Sequence, residues 1–537
     1  MRNLSIKNKS YPPITTSPFL SSYEYSLLAV LSILLLAQKL PYILYNGQIN
    51  PDESQILTQA ITLDYDPVFW RSVDGTTGGP INSYLILLLK HIGFSFDYFT
   101  LHLLSVVLII ISLFITYCTL RLFYDSKSSF LSLLIPFQFF FFTKHGDFNH
   151  YNSELPSVTL LTVGVFLLGK IFRSAKKSIL LAGIFGLVCA LVPLAKLQGG
   201  PLAFLYILCA FLAIINGKTP ILRKFLLITS MGFGIIIVAG SLFIFLNYNH
   251  LMYDFYIMYI KTNLSHYNPG NGFQSFIKLF FKSSYDYVFF LISCFLLWIV
   301  AILMAFNDRM YSFFYNKKLW FLLLNVTTSL VVVTKTGYIF EHYLFYTIFP
   351  ITLLTAYSIH RILESDQEQA YRKVVTLSIG LLIGSTLVHA LKLPRKNQNF
   401  TMTSTPLHER QVVSLIKKYS KPTDCLVVWG WNMRYHTLSG LRQGTKENHS
   451  IRCMTTNSLG AIHDPQLIAY YGRAYVDDLK RNNPPVFIDE VKANRFFENP
   501  EWVVHQKNPE LKQVIADKYR LLSQESGVSV YVRKDLL

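Results

Sequence analysis

Charge is scarce in this 537-residue sequence: Asp, Glu, Lys and Arg make up only 15% of it, against about 25% in an ordinary soluble chain. That shortage speaks against a water-soluble enzyme of this size, and the 52% hydrophobic content excludes intrinsic disorder. Six cysteines are too few for a disulfide scaffold, and none is spaced as CxxC, the usual half of a zinc site. The sequence has no GxGxxG, Walker A, HExxH or GxSxG motif, so the common dinucleotide, nucleoside triphosphate, zincin and serine-hydrolase chemistries have no anchor. Tandem repeats with periods of roughly 20–50 residues are absent as well. Acids are outnumbered, 31 to 49, for a net charge of +18. In a soluble protein that excess suggests nucleic acid; in a polytopic membrane protein it is what Lys- and Arg-rich cytoplasmic loops produce. No nucleic-acid partner is expected.

What the chain has in abundance is apolar runs, with a mean hydropathy of +0.35. Runs long enough to cross a bilayer, about 17–25 residues, lie near 25–45, 98–122, 128–143, 154–171, 178–195, 199–216, 222–247, 286–306, 319–334, 343–360 and 374–392. The first follows a basic tail (Arg2, Lys7, Lys9) and lacks a small-residue cleavage site, so it reads as an uncleaved anchor. The segment Pro80 to Gly93 is apolar but short. If it lies in the interface, the basic clusters Arg121/Lys127, Lys170/Arg173/Lys176/Lys177, Lys218/Arg223/Lys224, Arg309/Lys317/Lys318 and Arg361/Arg372/Lys373 all fall inside; if it spans, all fall outside. The positive-inside bias selects the first arrangement. The expectation is a polytopic α-helical protein of the plasma (inner) membrane, with about 11 transmembrane helices and a cytoplasmic N-terminus. Residues 1–393 form the transmembrane domain, and 394–537 a small C-terminal α/β extracytoplasmic domain. In the latter a helix at 406–419 and strands at 425–431, 485–489, 519–523 and 528–533 alternate. Cys425 and Cys453 fall in this domain, where an oxidising compartment permits a disulfide.

Three outside loops gather the chemistry: 46–97, 144–156 and 248–285. The first carries Asp52, Glu53, Asp64, Asp66 and Asp74, with Arg71 among them. Asn50-Pro51-Asp52-Glu53 is a good helix start, Asn at the cap, Pro at the first position and Glu53 completing a capping box. A helix start also fixes a carboxylate in space, so capping and catalysis are both open here. The second loop packs Lys144, His145, Asp147, His150, Asn152 and Glu154 between two spans, where ionisable groups are costly unless they face water, a partner or a substrate. His145, Asp147 and His150 are chemically able to bind a metal, but their spacing is not diagnostic. Two corners add cations: Lys196 at the end of one span, and Lys335 at another, followed by Glu341, His342 and Tyr343. A lysine at a span end ordinarily snorkels to the headgroups, yet here both stand on the side where lysine is disfavoured. The third loop, with Tyr248, Tyr253, Asp254, Tyr256, Tyr259, Lys261, His266 and Tyr267, has the aromatic character of a sugar-binding surface or of an interfacial tyrosine belt.

This pattern resembles the GT-C superfamily of polytopic glycosyltransferases, particularly its protein O-mannosyltransferase and lipid A aminoarabinose transferase branch, over roughly residues 25–360. The resemblance rests on Pro51-Asp52-Glu53 after the first span, the interfacial segment after Gly78-Gly79-Pro80, the acidic loop ending at Glu154, the Lys196 corner and the Glu341–Tyr346 stretch. It implies Asp52 as catalytic base, Glu53 near it, and Glu154 (or Asp147) as second acid. In the aminoarabinose branch a Lys precedes the first-loop Pro and contacts the lipid phosphate; here that place is Gly79. Phosphate and substrate binding then falls to Lys196, Lys335, Arg71 or His342, beside Tyr343 and Asp147.

The implied donor is a sugar on a polyprenyl phosphate, and the acceptor a hydroxyl on a glycan, lipid or protein. An acceptor hydroxyl needs a general base aligned with the anomeric carbon; the leaving phosphate needs its charge neutralised. Attack opposite the leaving group inverts the anomeric centre, and no metal or other cofactor is required. The competing class is a transporter or flippase of lipid-linked glycans, which places ionisable groups near the bilayer midplane in inverted repeats; here the acids sit at loop boundaries and no repeat is seen. Reporter fusions at residues 176, 315 and 400 test the orientation. The expected pattern is in, in, out, and an inward 400 fusion means that Pro80–Gly93 spans.

Overall fold

The computed structural model describes residues 20–173, 178–265, 284–307, 317–335, 340–364, 406–455, 462–497 and 499–537, with scattered positions in 274–277 and 373–384. Helix α1 (Ser22–Leu44) starts on a capping box between Ser21 and Glu24, and α2 (Pro51–Tyr65) on one between Asn50 and Glu53. After α3 (Pro80–His91) come α4 (Tyr98–Phe123), capped by Asp97, and α5 (Ser126–Phe142), capped by Asp125. The chain continues through α6 (Glu154–Arg173), α7 (Ser178–Ala195), α8 (Gly200–Asn216) and α9 (Ile221–Tyr248). Next come α10 (Tyr285–Asn307), α11 (Lys317–Thr334) and α12 (Phe345–Leu363).

Among the described residues seven helices are long and apolar enough to cross a membrane: Ser22–Leu44, Tyr98–Phe123, Glu154–Ile171, Leu197–Asn216, Ile221–Tyr248, Tyr285–Ile302 and Lys317–Thr334. Two shorter apolar helices, Ser126–Phe142 and Ile179–Ala195, accompany them. Helix α12 is buried along most of its length, a bundle-core helix. The expected span 374–392 lies mostly outside the described residues. The multi-pass class therefore holds, while the count of eleven is not reached among the described helices. Helix α9 shows what the outer surface faces: Phe225, Phe233, Ile236, Phe243 and Ile244 are all exposed, an apolar band suited to lipid tails and not to water. Helix α3, 12 residues long, reaches only about 18 Å, too short to span.

The C-terminal part begins with α13 (Leu407–Tyr419). Strands β1 (Cys425–Trp429), β2 (Arg442–Gln443), β3 (Val486–Asp489), β4 (Tyr519–Glu525) and β5 (Val528–Arg533) form one sheet in the order β2-β1-β3-β5-β4. Strand β1 pairs in parallel with β2 and β3, while β5 is antiparallel to β3 and β4. Helices α14 (Arg434–Ser439), α15 (Pro465–Asn482) and α16 (Pro509–Lys518) complete it. Side chains alternate across a strand, and here both faces are covered. Leu426, Val428 and Ile488 pack with Val412 and Ile416 of α13. Val427, Trp429 and Phe487 share a core with Tyr471 and Tyr475 of α15 and with Phe69, Trp70, Val73, Met258 and Tyr259 of the loops that leave the bundle. The sheet is thus seated on the same side as the α2–α3 loop. Cys425 and Cys453 are buried free thiols; the expected disulfide between them is not formed.

Candidate active site

The start of α2 is built from its own sequence. The Asn50 side chain accepts from the Asp52 N–H (3.0 Å), and Glu53 Oε2 accepts from the N–H groups of Ile49 (2.8 Å) and Asn50 (3.2 Å). Glu53 is wholly buried; its other oxygen lies 2.8 Å from His102 Nε2 and accepts from Tyr151 N–H at 3.3 Å. Burial works against its charge, but His102 and His150 and the capping N–H groups outweigh it and hold the carboxyl below the usual range. The capping reading is thus present at Glu53, and both of its oxygens are engaged by the helix start, His102 and Tyr151. Asp52, one residue earlier, keeps its side chain 34% exposed.

Around Asp52 the second loop and the Glu341–Leu344 turn close in. His342 Nε2 is 3.9 Å from Asp52 Oδ2, and its Nδ1 is 3.3 Å from Asp147 Oδ2. Asn50 Nδ2 donates to the other Asp147 oxygen at 3.1 Å. Burial disfavours the imidazolium, but Glu154, Asp147 and Asp52 overcome it and raise the His342 pKa to about 9. Reciprocally, partial burial works against the Asp147 charge, but His342 outweighs it and holds this half-buried carboxyl well below the ordinary carboxylate range.

Lys196 does not snorkel. It is buried, with Nζ 2.9 Å from Glu154 Oε1, donating to Ser153 Oγ (2.7 Å) and Thr77 Oγ1 (3.0 Å), and standing 5.7 Å over the Tyr343 ring. Glu154, at the first position of α6, is therefore the counter-ion of Lys196. Its lysine is delivered by a backbone contact: Gly78 forms a β-bridge with Lys196, and Gly79 N–H donates to Ala195 O at 2.9 Å. A Cβ on Gly79 would collide with the Leu194 carbonyl and come within 2.7 Å of Tyr259 Oη. No lysine fits at position 79, and Lys196 brings an ammonium from the facing corner.

The remaining expectations separate. Arg71 is half exposed and paired with Asp66, at the opposite end of α2 from Asp52, about 20 Å along the helix. Lys335 is exposed just beyond α11; Val332, three residues earlier, accepts from Gln198 Nε2 at 3.0 Å, so that helix end adjoins the Lys196 corner. Tyr248, Tyr253 and Tyr256 are exposed and Tyr259 is buried; His266 and Tyr267 lie outside the described residues. Sequence reasoning missed Thr77, Ser153 and His102. Only Ser153 had a local signal, standing next to Glu154.

Among the described residues, one set of side chains is arranged as metal ligands could be: the donor atoms of Asp52, His150 and His342 lie within 4.8 Å of one another. His150 Nε2 is buried without a hydrogen-bond partner, while its Nδ1 is engaged with Gly146 O at 2.9 Å. Two imidazoles and a carboxylate suit zinc or a similar divalent ion, and such an ion would neutralise negative charge beside Asp52.

If the imidazolium is what balances these acids, its contribution is complete below about pH 6.5 and is lost as pH rises through about 9. Thermal unfolding followed from pH 7 to 10 should show stability falling on the alkaline side in wild type, and a flatter profile in His342→Gln.

The sequence matches no family model, and no curated protein matches it. Solved structures do resemble the whole chain. ArnT from Cupriavidus metallidurans bound to undecaprenyl phosphate superposes with a TM-score of 0.58 at 10% identity, over 96% of this chain and 99% of that one. The same protein in the apo state gives 0.59 at 10% identity, over 95% and 98%. With its loops, buried Lys196 corner and seated C-terminal sheet, the chain has the fold of ArnT.

Proposed function

We propose that this protein is an integral-membrane glycosyltransferase that moves a sugar from a polyprenyl phosphate to a hydroxyl acceptor on the extracytoplasmic face, with inversion. The observation that carries the reading is the convergence of a half-exposed carboxylate and a buried ammonium on one short turn: His342 contacts Asp52, and its neighbour Tyr343 lies under Lys196. The ArnT fold, solved in that protein with undecaprenyl phosphate, supports a lipid-phosphate donor.

In this scheme Asp52 takes the proton of the acceptor hydroxyl as its oxygen attacks the anomeric carbon. The bond from that carbon to the phosphate oxygen breaks, and its electron pair leaves with the lipid phosphate. Charge grows on the phosphate, so a fixed cation in a water-poor setting lowers the barrier. Lys196 is that cation: a phosphate oxygen replaces the neutral Ser153 or Thr77 hydroxyl on Nζ, while Glu154 keeps the ammonium in place. Asp147 and His342 hold the turn beside Asp52. A second reading has its own observation, the Asp52–His150–His342 set, in which a divalent ion assists; chelation followed by readdition of Zn²⁺ or Mn²⁺ separates the two, since only the second loses and regains activity.

The purified protein should release lipid phosphate from a polyprenyl-phosphate sugar when given an acceptor; a transporter would not. Asp52→Asn preserves the Asn50 cap, which binds the backbone N–H and not the carboxylate. It should therefore abolish transfer with thermal stability nearly unchanged, and activity above about a tenth of wild type would remove Asp52 from the role of base. Lys196→Gln should lower turnover about a hundredfold and Lys196→Arg less. Wild-type kinetics in the Gln variant would move the phosphate role elsewhere.

A further inference from the structure

We infer that Arg452 of the C-terminal domain is a positioning residue for the Lys196 phosphate site, acting through Asp74 and the turn at 74–78. The inference rests on the reading of Lys196 given above and adds to it a function for the C-terminal domain. Arg452 and Asp74 are both buried, 2% and 1% exposed, with Nη1 2.7 Å from Oδ2. The other Asp74 oxygen accepts from Thr76 N–H at 2.8 Å, and Asp74 N–H donates to Lys446 O at 3.0 Å. One carboxylate thus ties the domain to the turn.

The turn needs that tie. Gly75 and Thr76 have φ of +79° and +55°, and a left-handed conformation is costly for a β-branched residue such as threonine. The Asp74–Thr76 hydrogen bond and the Gly78 N–H to Gly75 O bond (2.9 Å) hold it. The next residues reach the site: Thr77 Oγ1 accepts from Lys196 Nζ, Gly78 bridges Lys196, and Gly79 bonds Ala195. Contacts run without a gap from Arg452 through Asp74, Thr76 and Thr77 to the ammonium.

Glu447 also approaches Arg452, at 3.6 Å, but burial and the adjacent Asp74 push its carboxyl well above the usual range, leaving Asp74 as the counter-ion of Arg452. Tyr471 Oη accepts a further Arg452 hydrogen bond at 3.2 Å. Docking itself does not hang on the pair. The apolar contact of Phe69, Trp70 and Val73 with Trp429 and Tyr471 remains without it. So do Gln443 Nε2 to Ser72 O (3.2 Å), Asn448 Nδ2 to Gln55 O (3.2 Å) and Lys446 Nζ to Asp254 (3.2 Å). What the pair adds is a fixed position for the Asp74 carboxylate that caps the turn.

The test uses the full-length protein in detergent, with undecaprenyl phosphate as the binding probe and donor kinetics beside it. Arg452→Gln and Asp74→Asn should each weaken lipid-phosphate binding and raise the donor KM about tenfold, with a smaller effect on kcat, and the double variant should be no worse than either single one. Lys446→Gln, which breaks the side-chain tether to Asp254 and keeps the backbone carbonyl that Asp74 N–H bonds, should leave probe affinity unchanged. Equal weakening in Lys446→Gln would reduce Arg452 to a docking residue and overturn the inference. Lys196→Gln is the reference: if it leaves probe binding intact, the phosphate site itself has been misplaced. If it weakens binding while Arg452→Gln and Asp74→Asn do not, only the inference is lost. Should Arg452→Gln fail to fold, the isosteric Asp74→Asn and the charge-conserving Arg452→Lys carry the same comparison.

Discussion

A lysine ammonium removed from water at a membrane boundary has to bring a counter-charge with it, because an unpaired buried ion costs several kcal/mol. Lys196 meets that condition with Glu154, two hydroxyls and an aromatic face, and much of the outer architecture follows from this arrangement. Glu154 has to open a helix so that its carboxylate stands at the mouth of the bundle. A glycine has to stand at position 79, since the strand-like contact that delivers Lys196 leaves no space for a side chain there. The turn before that position has to adopt left-handed backbone, and the C-terminal domain has to press on it. A second balance adjoins the first: His342 sits between Asp52, Asp147 and Glu154, and a proton or a metal ion is the charge that lets these acids share so small a volume.

Much of this could be read from the chain before any coordinates. The apolar runs and the weight of basic residues on one set of loops announce a multi-pass protein. The strands of the C-terminal sheet lie where short apolar runs fall between turn residues, except for the two-residue β2, too short to show a period. Asn50-Pro51-Asp52-Glu53 was legible as a helix start, yet the division of labour between its two acids was not. The second Glu53 oxygen lies against His102, on another helix, and local sequence carries no record of that contact. The same limit explains Lys196 and Arg71. Both read as cations beside acids, but one is folded into a cage of partners and the other is left with Asp66 on the surface.

The C-terminal domain is the part whose purpose sequence alone left blank. Its sheet spends one face on α13 and the other on the loops of the bundle, so it is packed against those loops and is not a separate module on a tether. A buried arginine of the domain, paired with a first-loop aspartate, gives the domain a route to the ammonium.

The central claim is that Lys196 marks where the phosphate of a lipid-linked donor rests, within reach of Asp52. A structure of the full-length protein with undecaprenyl phosphate tests it most directly. The account predicts phosphate density within about 4 Å of Lys196 Nζ, with the prenyl chain descending along the lipid-facing side of the bundle and the Asp52 carboxylate open toward the same space. Density for the phosphate on another set of cations, with Lys196 still caged by Ser153, Thr77 and Glu154, would contradict it.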